Sequence, residues 1–590
     1  MTLSRRNFLK ISGLSFCTLV VSTGISGCSH STNLTDVSFL HGVASGDPLE
    51  DSVIIWTRLS PKDEVKTLNL SYEVSKLEDF SILEHNGDIT TNKDRDYTVK
   101  VDLQGLDNGT VYYYRFKSNE KISMVGKTKT ISKKTTNVKM AVFSCSNYPN
   151  GYFNAYMEAS KINDLDVVLH LGDYIYEYGM YNDNGITPAY GTKNAKEINR
   201  ELPSDNNTEL LTLNDYRKRY ALYHTDKGSL ALHKNVPFIT VWDDHEIAND
   251  TYKDGAENHN DNEGEFEDRK LAALQAYFEW LPIRPFKTDD TQIIYRSFDF
   301  GDLVSLHMLD TRVLARNKQL NYSNYYNTNG DFDASTFTSD VSSSSRTMLG
   351  SEQLSWLKNK ISESSASWQV LGQQVLMGKM LLPAYILTSI SKLEGELTTS
   401  EKDLVLTDLN NKMIELISIK TRILQGDTSV TGLEKAKLET VIPYNLDAWD
   451  GYFYEREVIY ETVKALNKNL VVLSGDTHNS WANNLKNNDS ENIGVEFAVT
   501  SVSSPGMEEY ASLSTIDKAK DFENSLTFLI DDLVYTNLNQ RGFMIVEFNK
   551  EEVNTTWNYL NNYDKTEYSM DITRKKSLKN SLSNKILQEV

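Results

Sequence analysis

The chain has little cysteine and little proline, and beyond its N-terminus it has no long apolar run. Its 590 residues include only 3 cysteines and 11 prolines. Cys17 and Cys28 stand near the N-terminus, so Cys145 is the one thiol in the body of the chain, and a disulfide framework is excluded. With 39% hydrophobic and 24% charged residues, the composition also excludes collagen-like and wholly disordered proteins.

The chain also has fewer basic than acidic residues. Lys and Arg number 61 against 82 Asp and Glu, which gives a formal net charge of -21. Such a charge repels polyphosphates and duplex nucleic acid unless a local site reverses it. We therefore expect no nucleic-acid-binding role.

The N-terminus has the pattern of an export signal. Arg5 and Arg6 form a twin-arginine motif, and the apolar stretch Ile11–Val21 that follows is too short to span a bilayer. Ile25-Ser26-Gly27-Cys28 resembles the lipobox of bacterial lipoproteins, in which the cysteine is lipidated. We expect a signal peptide over residues 1–27, the twin-arginine translocon as a partner, and a periplasmic or cell-surface lipoprotein held on a membrane through Cys28. An uncleaved anchor or a chance match is the alternative.

Two patterns of apolar residues predict two domains. After a polar tether (28–37), short alternating runs over 38–132 predict a small all-β domain of immunoglobulin or fibronectin type. Residues 137–562 alternate buried strands with helices, an α/β (α+β) signature, with a helical insertion at 375–440. The remainder, 563–590, is predicted to be a C-terminal tail. The acidic loop 250–268 and the insertion are either solvated surface segments or covers of a site mouth.

Four predicted strands of the second domain end in residues that can bind metals. Ligands gather beyond the carboxyl ends of strands in α/β sheets, so these ends are expected to share one rim. Carboxylates on one rim repel one another unless cations neutralise them. Taken singly, each of these strand-end residues would be explained as a turn residue, a helix cap or a core residue. Cys145 on its own would be an inert core thiol, a nucleophile or a metal ligand. The residues at the four ends are Cys145, Asp173 with Tyr176, Asp243-Asp244-His245-Glu246, and Asp476 with His478.

These motifs resemble the alkaline phosphatase D (PhoD-like) family of calcineurin-like metallophosphoesterases. The resemblance implies a metallophosphatase β-sandwich flanked by helices, preceded by the small all-β domain. It runs from about Phe39 to about Tyr559. The matching segments, in order, are His41–Pro48, Trp56-Thr57-Arg58, Phe143–Ser146, Gly172–Glu177, Trp242–Glu246, Leu371–Gln374, Asp447–Tyr452 and Ser474–His478.

The resemblance also implies roles for individual residues. His245 would be the catalytic histidine, and Asp173 would bridge two metals. A softer site would bind Fe3+, and a hard oxygen site would bind one or two Ca2+. Asn249 is a weaker candidate for the second site, where the wider superfamily has a further histidine; His307 and Gln374 are the nearest substitutes. The ligands would be Cys145, Tyr176, His478 and Asp173 for iron, and Asp173, Asp244 and Asp476 for calcium.

The N-terminal motifs and the resemblance together predict an exported, lipid-anchored, metal-dependent phosphoesterase that hydrolyses phosphate monoesters, and they leave diester hydrolysis open. One alternative keeps the fold and makes the enzyme a phosphodiesterase or phospholipase D-type enzyme that acts on phospholipids. A second alternative is a surface binding lipoprotein with a degenerate site.

Overall fold

The structure is a computed structural model. It describes residues 20–21, 36–182, 185–285, 292–329, 331–393, 397–513 and 515–590. Most of the predicted signal peptide, the lipidation site Cys28 and most of the tether lie outside these residues. No helix in the described part of the chain combines the length and apolarity needed to cross a membrane.

The N-terminal region is all-β apart from one 3-10 turn, Lys93–Arg95. Exposed and buried positions alternate along Thr67–Ser75 and Val111–Ser118, and the buried side chains form an apolar core of their own. This confirms the predicted all-β region, whereas its immunoglobulin or fibronectin type stays a prediction. The strands are Val20–Val21, Val37–Ser38, Val43–Gly46, Ser52–Arg58, Ser60–Pro61, Thr67–Ser75, His85–Asn92, Thr98–Gln104, Val111–Ser118, Lys121–Ile122 and Gly126–Lys129.

From Asn137 onward the chain forms two mixed sheets. In the first sheet, Asn137–Phe143, Val167–His170 and Phe238–Thr240 run parallel to one another. Phe143 pairs with His170 and His170 with Thr240, so the three strands end at one level. The antiparallel strands on the far side of Asn137–Phe143 are Gly542–Asn549, Glu552–Tyr559, Lys576–Ser581 and Asn584–Glu589.

The second sheet has a parallel centre and antiparallel edges. Val142 and Leu169 of the first sheet share one buried apolar cluster with Leu306, Val370 and Leu473 of the second, so the main core lies between the two sheets. In spatial order the strands of the second sheet are Arg296–Phe300, Val304–Met308, Trp368–Gly372, Leu470–Ser474, Asn492–Ala498, Ser480–Lys486 and Leu533–Asn537.

Helices pack against the sheets and complete a mixed α/β architecture. Leu357 and Ile459, on two of these helices, share a second apolar cluster with Leu371 and Val472 of the second sheet. The helices are Asn154–Ala159, Leu213–Tyr223, Lys227–His233, Phe266–Trp280, Ala334–Val341, Gly350–Glu363, Ala384–Leu393, Thr399–Leu424, Gly432–Glu439, Phe453–Ala465, Met507–Tyr510 and Ile516–Leu529, with 3-10 turns at Tyr148–Asn150, Tyr322–Tyr325 and Trp449–Gly451.

Three of these helices lie in the segment 375–440, where the sequence predicts a helical insertion. Strands Leu381–Pro383 and Val441–Pro443 pair antiparallel and close the segment at its base. Thr398 and Thr431 begin the second and third of the three helices with capping boxes, in which the threonine and a glutamate three residues later satisfy each other's backbone N–H groups.

The two predicted domains are joined through their sheets. Val43–Gly46 of the N-terminal region pairs in parallel with Phe238–Thr240, which makes one continuous sheet of 11 strands. At the opposite end of that sheet, Lys576–Ser581 pairs with Glu552–Tyr559, and Asn584–Glu589 pairs with Lys576–Ser581. Most of residues 576–589, in the segment predicted to be a tail, thus belong to the sheet, because backbone pairing to an existing edge strand needs little apolar sequence of its own.

Candidate active site

Four strand ends meet at one edge of the two sheets. The strands concerned are Asn137–Phe143, Val167–His170 and Phe238–Thr240 of the first sheet and Leu470–Ser474 of the second. Three overlapping groups of side chains at these ends place possible ligand atoms within 4.8 Å of one another. The groups are Cys145 with Asp173 and His478, Asp173 with Asp244 and His245, and Asp243 with Asp244 and Asp476.

One end of this cluster carries sulfur, nitrogen and phenol donors. Tyr176 Oη donates to Asp173 Oδ2 at 3.0 Å and lies 3.1 Å from His478 Nε2. Ser504 Oγ donates to the same phenol oxygen at 2.6 Å. Burial and the charge of Asp173 raise the pKa values of the Cys145 thiol and the Tyr176 phenol well above their usual range. A cation is therefore needed to make either group a good anionic ligand.

The other end is a group of aspartates around one arginine. Arg312, which is fully buried, donates to Asp243 Oδ1 at 2.5 Å and to Asp476 Oδ1 at 2.9 Å. A third bond from Arg312 reaches Asp447 Oδ1 at 2.7 Å, and Asp244 Oδ2 lies 4.0 Å away. Arg316, which is also buried, donates to Asp447 as well, so two guanidiniums face four carboxylates and an excess of negative charge remains.

The carboxylates fit bound cations. Asp173 Oδ1 and Asp243 Oδ2 are buried and have no hydrogen-bond partner among the described residues. An unsatisfied buried carboxylate oxygen is costly, and metal coordination is one of the few ways to satisfy it. Burial raises the pKa of Asp173 to about 7 and that of Asp476 well above its usual value. Both shifts show that the protein alone does not stabilise the ionised forms.

The backbone at the site is held in an uncommon conformation. Cys145, Asp173, Asp476 and His478 have φ values of 62°, 55°, 64° and 61°. Such left-handed residues cost about 1–3 kcal/mol each when they are not glycine, and they cluster at functional sites. Gly172, with φ of 110°, must be glycine because a Cβ there would lie 2.3 Å from Asp243 Cβ. The glycine lets the two ligand loops approach each other.

Glu246 connects two of these loops through backbone hydrogen bonds. Its carboxylate accepts from the backbone N–H of Asp173 at 3.0 Å and of Asp243 at 2.7 Å. It also accepts from the N–H of Tyr174 at 2.5 Å. A single buried carboxylate therefore fixes the spacing of the Asp173 and Asp243 loops.

His245 is oriented by a second buried carboxylate. Its Nδ1 lies 2.7 Å from Glu177 Oε2, and Glu177 also accepts from Asn249 N at 2.8 Å and Asn258 Nδ2 at 2.7 Å. Burial alone would lower the pKa of His245, but the charges of Asp244, Glu177 and Asp173 raise it well above its usual value. The neighbouring carboxylates therefore favour the protonated ring, with Nδ1–H directed to Glu177.

The three weaker candidates, Asn249, His307 and Gln374, make hydrogen bonds to groups other than the ligand residues. Asn249 lines the cavity shared with Asp476 and His478, but its amide donates to Glu257 at 2.5 Å. His307 lies within the second sheet and bonds to Ser297 Oγ at 2.8 Å. Gln374 Nε2 donates to Trp242 O at 2.6 Å. His307 and Gln374 therefore have structural partners in the sheets and do not belong to the ligand groups.

Arg312 is the main site residue that the sequence pattern does not indicate. It follows the strand Val304–Met308 by four residues, so it also stands beyond a strand end. A basic residue shortly after a buried strand is the sequence signal that indicates it. Glu246 lies in the segment Trp242–Glu246, but its bonds to the Asp173 loop depend on a contact across 73 positions of sequence.

A wide cavity opens in front of the cluster. It has a volume of about 1140 Å3, and its lining includes Asp250, Asp447, Asp476 and His478. Apolar and aromatic residues form much of the rest of the lining. They are Leu320, Tyr322, Tyr326, Phe332, Leu387, Ile390, Ile442, Leu446, Trp481 and Tyr510.

Comparisons with known proteins agree with this geometry. The family profile described as PhoD-like phosphatase matches residues 140–557, and that described as PhoD-like phosphatase, N-terminal domain, matches residues 26–132. Alkaline phosphatase D of Bacillus subtilis (strain 168) is 33% identical over 527 residues, covering 86% of this chain and 77% of that protein. A solved structure described as "Structure of PhoD" has a TM-score of 0.70 at 28% identity, covering 96% of this chain and 93% of that one. The chain therefore belongs to the PhoD-like phosphatase family and is a phosphoesterase hydrolase.

Proposed function

We propose that this phosphoesterase binds one ferric iron and one or two calcium ions at the cluster described above. Thiolate, phenolate and imidazole donors of Cys145, Tyr176 and His478 suit iron. The carboxylates of Asp244 and Asp476 suit calcium, with Asp173 shared between the two sides. Asn249 stays a weaker candidate ligand for calcium. The observation that carries the proposal is the unsatisfied buried oxygen Asp173 Oδ1, together with the convergence of ligand atoms to within 4.8 Å in the groups around it.

The protein's own residues would give a proton to the leaving oxygen and hold the ligand carboxylates in place. When bound, the metals supply Lewis-acid polarisation of the phosphate oxygens and a water of lowered pKa. His245, whose Nδ1–H is held by Glu177, is left with Nε2–H to protonate the leaving oxygen. Arg312 fixes the positions of Asp243 and Asp476 against their mutual repulsion.

Separate losses of the two metals test the ligand assignment. We expect Cys145→Ser to lose most of its iron and keep its calcium, because the thiolate belongs only to the softer end of the cluster. Asp476→Asn should lose calcium and keep iron. Elemental analysis of purified protein, before and after dialysis against a chelator, measures both.

Asp299→Asn is the matched control for this experiment. The Asp299 carboxylate accepts from Ser305 in the second sheet, and the residue belongs to none of the ligand groups. Its metal content should equal that of the parent. Parent protein without iron or calcium would reject the proposed metals, and equal losses in both ligand variants would reject their separation.

Replacing the catalytic histidine should reduce turnover without removing the metals. We expect His245→Ala to lower kcat by about 10²–10⁴, the usual contribution of a general acid. His85→Ala, in the N-terminal strand His85–Asn92, is the control and should keep parental kcat. An alanine variant at 245 with parental kcat would remove His245 from the mechanism.

The cavity favours substrates larger than a simple monoester. At about 1140 Å3 it has room for a second ester group, and its apolar lining suits an aromatic or aliphatic one. We therefore infer that the enzyme hydrolyses phosphate diesters, phospholipids among them, as well as monoesters. Steady-state assays should show turnover of both p-nitrophenyl phosphate and bis(p-nitrophenyl) phosphate. Hydrolysis of the monoester alone would contradict the diester activity.

A surface binding lipoprotein with a degenerate site is disfavoured. The groups that contain Cys145, Asp173, Asp244, Asp476 and His478 retain a full set of donors. The chain also belongs to a family of phosphatases, which favours an enzyme over a binding protein.

We further propose export through the twin-arginine translocon and anchoring by a lipid on Cys28. The support is the motif Arg5-Arg6 and the lipobox-like Ile25–Cys28. In cell fractionation, the parent should be membrane-bound, Cys28→Ser should become soluble outside the cytoplasm, and the Arg5→Lys/Arg6→Lys variant should stay in the cytoplasm. A Cys28→Ser protein that remains with the membrane would exclude the lipid anchor.

A further inference from the structure

Tyr190 contacts the far side of His478. Its Oη lies 2.8 Å from His478 Nδ1, the ring nitrogen turned away from the metal-ligand groups. The same hydroxyl donates to the backbone carbonyl of Pro505 at 2.5 Å. Tyr190 thus links the histidine to the loop between Ser504 and Gly506.

The two contacts decide which nitrogen of His478 carries the proton. A tyrosine hydroxyl has one hydrogen, and the carbonyl of Pro505 can only accept, so that hydrogen is used there. Toward His478 the phenol oxygen must then accept, which requires a hydrogen on Nδ1. The other nitrogen, Nε2, is left with its lone pair and lies 3.1 Å from Tyr176 Oη and 3.8 Å from Asp173 Oδ2.

Packing around Tyr190 keeps this arrangement in place. Its ring centroid lies 5.9 Å from that of His478, with the planes 28° apart, and 6.1 Å from that of Tyr176. A tyrosine hydroxyl keeps its hydrogen near neutral pH. A neutral phenol both donates and accepts, which the bridge between Nδ1 and Pro505 requires.

We propose that Tyr190 is a positioning residue that holds His478 as the Nδ1–H tautomer and presents Nε2 to the iron side of the cluster. Hydrogen bonds of this kind orient a histidine ligand and raise its basicity. The inference rests on the proposed function, because it concerns a metal that His478 would bind. Tyr190 itself belongs to none of the ligand groups found among the described residues.

The test is Tyr190→Phe, which keeps the ring and removes the hydroxyl. Parent and variant are loaded with ferric iron and dialysed against increasing chelator concentrations, and the iron that remains is measured. We expect iron affinity to fall about 10–100-fold, the usual cost of losing such a partner. Tyr176 and His478 would bind the same iron. The visible absorption of the ferric phenolate with Tyr176 should therefore also change, because a differently oriented imidazole changes the electronic environment of that iron.

Two comparisons separate this role from others. Tyr152→Phe removes a hydroxyl that donates to Ile198 O at 2.7 Å. Ile198 lies eight residues after Tyr190, and Tyr152 belongs to none of the ligand groups. It should keep parental iron affinity and absorption. With iron in excess, Tyr190→Phe should recover kcat at the parental KM, whereas loss of a substrate contact would leave KM raised.

The outcomes are distinct. Parental iron affinity and an unchanged spectrum in Tyr190→Phe would overturn the positioning role. A KM that stays raised at saturating iron would do the same, in favour of substrate contact. Parent protein that binds no ferric iron would instead reject the proposed metal site, whatever Tyr190 does.

Discussion

The structure depends on confining several carboxylates in a small and largely buried space. Asp173, Asp243, Asp244 and Asp476 contribute to overlapping groups with ligand atoms no more than 4.8 Å apart, and Arg312 is the buried guanidinium among them. In a medium of low dielectric constant, like charges at this distance repel strongly. Burial also favours the protonated forms, as the raised pKa values of Asp173, Asp243 and Asp476 show. Cations that bind these oxygens would relieve both costs together.

The fold tolerates this crowding because several buried contacts fix the loops. Left-handed residues at Cys145, Asp173 and Asp476 turn the chain sharply at the strand ends. Glu246 holds two of the loops by three backbone N–H groups, and Gly172 gives them room. Each of these devices stabilises a geometry that would be unfavourable in isolation. The large core between the two sheets supplies the necessary surplus of stability.

Much of this site could be predicted from the sequence, since parallel strands bring their carboxyl ends to one edge. Apolar runs before Cys145, Asp173, Asp244 and Asp476 located those ends without any knowledge of distant contacts. Arg312 and Tyr190 were not indicated, because a charged residue in a turn and one tyrosine among 32 have no periodic signature. Likewise, the strand Lys576–Ser581 reads as polar and joins the sheet mainly through its backbone. Such residues acquire their roles from long-range contacts.

The two histidines of the site show how neighbouring groups of one type are given opposite properties. His245 bonds through Nδ1 to the carboxylate of Glu177, and its pKa is raised. His478 bonds through Nδ1 to the neutral phenol of Tyr190, and burial, with the positive charges of His245 and Arg541, lowers its pKa to about 3. A charged histidine can give a proton, and a neutral one can offer a lone pair. The different partners at Nδ1 therefore match the separate roles of acid and ligand, although the Tyr176 ring lies near both histidines.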